Sequence, residues 1–109
     1  MAAEQQHLEQ LKKQARRPST PGDVLANLLE TSGISQKALA ARIGVSRATV
    51  NRVVQGHRVM TPDLANRLGR FFGNGPALWI RLQQHVDLWD ALHVDQSTYE
   101  RIQPMKQVA

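Results

Sequence analysis

Four times between residues 20 and 73 the chain sets a hydroxyl side chain, a run of apolar residues at helical spacing, and then a glycine. This punctuation restricts the fold more than any other feature. Thr20 precedes Pro21, Asp23 lies in the following turn, and Val24, Leu25, Leu28 and Leu29 lead to Gly33. Ser35 precedes Leu39, Ala40, Ile43 and Gly44. Ser46 precedes Val50, Val53, Val54 and Gly56. Thr61 and Pro62 precede Leu64, Ala65, Leu68, Phe71, Phe72 and Gly73. A fifth start, Gly75-Pro76, opens a longer run through Leu78, Trp79, Leu82, Val86 and Trp89. A hydroxyl oxygen accepts from amides that a helix start leaves unpaired, and Pro fits the first turn because its missing N–H is not needed there. Glycine takes the left-handed conformation that ends a helix. The valines at 50, 53 and 54 are β-prone, yet their spacing and their cap predict helix. No segment alternates at period two for long enough to make a strand. The reading is an all-α fold with five capped helices.

The ends differ from this middle. The first 17 residues are Gln-rich and charged, with Leu8, Leu11 and Ala15 as their helical stripe, and RRPSTPG breaks the chain after them. So few apolar side chains do not by themselves offset the entropy of ordering. The expected division is a polar N-terminal arm over 1–19 holding at most a short helix, a helical domain over 20–93, and a short C-terminal helix or tail over 94–109. The arm has two alternative roles: binding a partner, or lying on a phosphate backbone through Lys12, Lys13, Arg16 and Arg17. A length of 109 residues suits one compact domain. The absence of cysteine excludes disulfides, zinc-thiolate sites and thiol catalysis. No apolar run approaches the roughly 18 residues of a membrane span, and the polar start is unlike a signal peptide. A cytoplasmic protein is expected, with no membrane partner.

The net charge of +5 is unevenly placed. No acid lies between Glu30 and Asp63, where Lys37, Arg42, Arg47, Arg52 and Arg58 fall. From Gln84 onward Asp87, Asp90, Asp95 and Glu100 stand against Arg101 and Lys106. The middle is built to meet an anion, and the C-terminal end is not.

The stretch QKALAARIGVSRATVNRVVQ, residues 36–55, meets each demand of two helices joined by a tight turn. Ala40 is small where the helices touch, Gly44 suits the turn, Val45 plugs the corner and Ser46 caps the second helix. Leu39, Ile43, Val50 and Val53 are apolar where the pair packs on the domain. Position by position this resembles the Cro/C1-type (XRE) helix-turn-helix family. The resemblance implies a lambda-repressor-like domain whose second helix enters the major groove of double-stranded DNA. With Val50, Val53 and Val54 inward, the candidate base contacts are Arg47 and Arg52 to guanine, Asn51 to adenine, and Ala48 to a thymine methyl. For each the alternative is a phosphate contact or a solvated side chain. Gln36, Lys37, Ser46, Thr49, His57 and Arg58 are the candidate phosphate contacts.

The segment GNGPALWIRLQQHVDLWDAL, residues 73–92, resembles the signature of the HigA/VapI antitoxins through Pro76, Trp79, Leu82, Gln83, Asp87 and Leu88. Pro21-Gly22-Asp23 and MTPDLANRLGRFFG are similar to other parts of that family, so the likeness spans about residues 20–92. The chain departs from it at Thr20, where His is usual, at Val86, where an aromatic is common, and in its longer N-terminal extension. The resemblance implies an antitoxin that masks a RelE-like mRNA-cleaving toxin by direct binding and represses its own operon as a dimer. Trp79 and Leu82 read as core. Leu88, Trp89 and Leu92 read as a two-fold interface. The rival readings are a solitary dimeric repressor and an interaction module without specific DNA binding. His85 and His93 near Asp87, Asp90 and Asp95 fit no metal spacing, and no nucleophile turn or phosphate loop is present. Neither catalysis nor a cofactor is expected.

Overall fold

The computed structural model describes residues 2–106, and side chains from residue 5 onward. Seven helices follow in order: α1 Ala2–Lys13, α2 Pro21–Ser32, α3 Gln36–Ile43, α4 Arg47–Val54, α5 Pro62–Phe72, α6 Pro76–His93 and α7 Gln96–Glu100. No strand occurs among the described residues. The all-α reading holds: α2 to α6 are the five expected helices, and α2 to α5 carry side-chain N-caps.

The chain forms two compact units, Pro18–Val86 on the one hand and Met1–Arg17 with Asp87–Ala109 on the other. In the first, the caps sit where the sequence placed them. Thr20 accepts from the Asp23 amide while the Asp23 carboxylate accepts from the Thr20 amide, a reciprocal capping box. Ser35, Ser46 and Thr61 accept from the amides of Ala38, Thr49 and Leu64. Gly44 ends α3 with φ 75°, a conformation that costs a side-chain-bearing residue energy.

These starts and stops turn the apolar stripes inward. Leu25, Leu29, Leu39, Ala40, Ile43, Val50, Val53, Met60, Leu64, Ala65, Leu68 and Trp79 form one buried cluster. Trp79 is 0% exposed, and its indole N–H donates to Asn74 Oδ1 at 3.1 Å, so the ring is buried without an orphaned donor. Leu82 packs against the same cluster. Met60, in the loop between α4 and α5, joins the core although it belongs to no helical stripe. Its amide donates to Gln83 Oε1 on α6 at 2.9 Å. Gly22 is buried in the first turn of α2, and a Cβ there would collide with the Val53 carbonyl oxygen. That bare backbone lets α2 approach the last turn of α4.

In the second unit the N-terminal arm is held by specific contacts. Leu11 is 3% exposed. Arg17 grips Asp90 through both carboxylate oxygens, at 2.9 and 2.8 Å. The Arg17 hydrogen bond holds the Asp90 carboxyl below the ordinary carboxylate value, against the opposing effect of burial. The Trp89 indole N–H donates to the Gln14 carbonyl at 2.9 Å. His93 stacks on the Trp89 ring at 4.1 Å and reaches the Lys12 carbonyl through Nε2 at 3.1 Å. The sequence offered too few apolar residues to order this arm, and polar contacts to a distant stretch of chain supply the difference. Residues 94–106, in contrast, are all exposed.

Candidate nucleic-acid interface

The turn between α3 and α4 is set by backbone. The amides of Gly44 and Val45 both donate to the Ala40 carbonyl at 3.0 Å, which folds the chain back over buried Ala40. With Val50 and Val53 each 2% exposed, α4 has one fixed inner face. Arg47, Ala48 and Arg52 are exposed on its outside, and Asn51 is half-buried beside them. Positions 47 and 51, and likewise 48 and 52, are separated by about 40° around the helix, so the four share a broad outer surface.

Two hydrogen-bonded pairs organise this surface. Asn51 Nδ2 donates to Gln36 Oε1 at 3.1 Å, joining α4 to the start of α3. The bond leaves Asn51 with one amide hydrogen and its carbonyl oxygen, the donor and acceptor that an adenine edge requires. Gln36 keeps its own NH₂ group for another acceptor. The second pair is Ser46 and Thr49, whose hydroxyls lie 2.8 Å apart while Ser46 also caps the helix. One hydroxyl hydrogen is used between them, and one remains to donate outward. Ser46 and Thr49 therefore build the helix start before they meet any phosphate.

Lys37 is exposed on the first turn of α3. His57 and Arg58 are exposed in the loop after α4, where the His57 amide donates to the Arg52 carbonyl at 2.8 Å. The structure thus brings Gln36, Ser46, Thr49 and Asn51 together in pairs, and leaves Lys37, Arg47, Arg52, His57 and Arg58 as exposed cations or potential cations around them. Leu88, Trp89 and Leu92 belong to the other unit and are each half-buried. Trp89 is engaged within its own chain by Gln14 and His93.

Arg67 was not singled out by the sequence. Its guanidinium donates to the Ile43 carbonyl at 2.8 Å and to Asp63 at 3.0 Å, satisfying a free carbonyl at the end of α3 from α5. The spacing of Asp63 and Arg67 along α5 is a legible pairing signal. The reach to α3 depends on how the two helices pack.

A model of the helix-turn-helix domain matches residues 6–79. Antitoxin HigA-1 of Vibrio cholerae is 38% identical over 96 residues, 87% of this chain and 90% of that protein. An Escherichia coli protein called an uncharacterized HTH-type transcriptional regulator, YbaQ, is 35% identical over 81 residues, 73% of this chain and 72% of its own. Among solved structures, Pseudomonas aeruginosa antitoxin HigA with the higBA promoter superposes with a TM-score of 0.76 at 35% identity, covering 83% of this chain and 100% of that one.

Proposed function

Because the chain belongs to the HigA family of helix-turn-helix antitoxins, we propose that it neutralises a RelE-like mRNA-cleaving toxin by direct binding and represses its own operon as a dimer. One observation carries the DNA half. The core fixes α4 so that Arg47, Ala48, Asn51 and Arg52 face outward together, with Asn51 already oriented by Gln36. In this reading those four touch base edges, while Gln36, Lys37, Ser46, Thr49, His57 and Arg58 hold the phosphates. A single reader of this kind spans too few base pairs for specificity, so two copies bind half-sites about 34 Å apart. Their contact uses Leu88, Leu92 and the outer face of Trp89. The likeness to a HigA bound to its promoter supports repression, and the likeness to HigA-1 over most of both chains supports a toxin partner. The protein acts in the cytoplasm, without cofactor or catalysis.

Expression of the small open reading frame beside the gene, alone and with this chain, tests the toxin half. Growth arrest by the neighbour, relieved by this chain with co-purification of the two, is the expected result. A harmless neighbour, or one that stays toxic and unbound, refutes it. The second reading is a dimeric repressor without a toxin, favoured by the likeness to a relative named only as a transcriptional regulator. It retains sequence-specific DNA binding and loses only the growth phenotype.

A further inference from the structure

Two exposed surfaces of this chain have opposite character. The first is an open depression of about 300 Å³ on the Pro18–Val86 unit, lined by Arg42, Ile43, Arg67, Arg70 and Phe71. Its floor is apolar and its rim carries three guanidiniums. Arg42 lies over the Phe71 ring, 5.4 Å from the centroid. Arg67 is fixed by Asp63 and by the end of α3, whereas Arg70 is exposed and makes no ion pair among the described residues. Arg42 follows Gln36 by six residues, about 240° around the helix, so it is turned away from the side where Gln36 meets Asn51. The depression is not a continuation of the base-reading surface. An apolar floor between guanidiniums also suits a peptide better than a phosphate. Aromatic residues and arginine are what the buried centres of protein interfaces are enriched in.

The second surface is the C-terminal segment, exposed throughout its described residues 94–106. Of the six large apolar residues exposed among those described, four lie here: Val94 at 61%, Tyr99 at 51%, Ile102 at 67% and Met105 at 87%. Two acids, Asp95 and Glu100, flank Tyr99 at the ends of α7. Residues 95–102 carry two acids against one base, Arg101, with the Asp95 carboxylate accepting from the Thr98 hydroxyl at 2.8 Å, and the depression carries three guanidiniums around Phe71.

The geometry points to an exchange between two copies, in which residues 95–102 of one copy dock in the Arg42–Phe71–Arg70 depression of the other. Tyr99 enters beside Phe71, one face of which Arg42 already covers, and Glu100 pairs with Arg70. Each chain carries both halves, so two copies can exchange both segments reciprocally. It adds to the proposed dimer and does not depend on the toxin reading.

Charge reversal in trans tests it. The full chain, Arg70→Glu, Glu100→Arg and an equimolar mixture of the two variants are compared by sedimentation over a range of concentrations. Both positions are exposed, and circular dichroism checks that helix content is retained. Each variant alone is expected to weaken dimerisation about tenfold or more, since like charges then face each other. The mixture is expected to regain the parent's constant to within about threefold. One contact is native in the mixed pair, and the other is reversed on both sides. Variants that dimerise like the parent, or a mixture no tighter than its components, overturn the exchange and leave the dimer intact. Docking within one chain, or of another protein's acidic peptide, gives those same results. A parent chain that is monomeric at every concentration overturns the exchange and the dimer together.

Discussion

Gly22→Ala sets two effects of opposite sign against each other inside the DNA-reading unit. In a helix interior alanine is favoured over glycine by about 1 kcal/mol, so propensity alone predicts a more stable protein. Gly22 is the second residue of α2, where that gain is smaller because the first turn is only partly hydrogen-bonded. Against it stands the added methyl group, which would collide with the Val53 carbonyl oxygen and lie 2.8 Å from the Val54 carbonyl oxygen. Both are backbone atoms, which cannot rotate away as a side chain can. Overpacking of this kind costs about 1–3 kcal/mol, occasionally more. The net expectation is a loss of about 1–2 kcal/mol, and a fall in Tm of about 4–16 °C for a unit this size. The relief available is a shift of α4, the helix proposed to read DNA, away from α2. Operator affinity should therefore fall further than the small unfolded fraction explains. Thermal unfolding by circular dichroism and fluorescence anisotropy on operator DNA measure the two parts. A Tm equal to or above that of the parent refutes the argument that α2 and α4 meet here through bare backbone.

Three further outcomes are expected. Arg52→Ala should cost about 1–3 kcal/mol on the specific operator and relax the sequence preference, read by competition with mutated sites. An equal loss on all DNA with a shallower salt dependence would make Arg52 a phosphate contact instead. Arg67→Ala should destabilise the Pro18–Val86 unit by about 1 kcal/mol through the freed carbonyl of Ile43, with the exposed Asp63 pairing adding little. Denaturant unfolding reads this, and an unchanged midpoint counts against the cap. Because Asp90 is held below its ordinary value of 3.8, its contribution is full above that pH and fades as pH falls through the lower folded-state value. The stability difference between the parent and Asp90→Asn, read by urea unfolding, should hold constant from neutral pH to pH 5 and shrink in strong acid as the Arg17 contact loosens. A difference that does not shrink in acid would assign the effect to something other than the Asp90 carboxylate.

The helices of the reading unit were legible because each is specified locally. Ser35, Ser46 and Thr61 cap the three-residue step that follows them, and the stripes of Leu39, Val50 and Leu64 need no distant information. The turn at Gly44 and the outward face of α4 follow from the same local signals. Three things were not legible. Met60 is core because its loop is tied to Gln83, a contact spanning 23 residues. Asn51 and Gln36 were read as independent contacts, and only packing of α3 on α4 shows that they bond to each other. The arm read as weakly helical on composition, since no local pattern announces that Arg17, Gln14 and Lys12 will meet Asp90, Trp89 and His93.

Those last contacts also fix an order of assembly. They join residues 73, 75 and 81 positions apart, whereas the helices of the reading unit are consecutive in the chain. A ribosome releases α1 before the reading unit and its partners after it, so that unit has all its residues before the arm has any of its anchors. The same asymmetry runs in reverse during degradation. A protease that trims from the C-terminus removes His93, Asp90 and Trp89 before it reaches the core, which frees the arm while α2 to α5 remain whole. The chain is thereby divided into an early, self-sufficient part and a late, contingent one, and its turnover should pass through a shortened form that still carries a folded DNA reader.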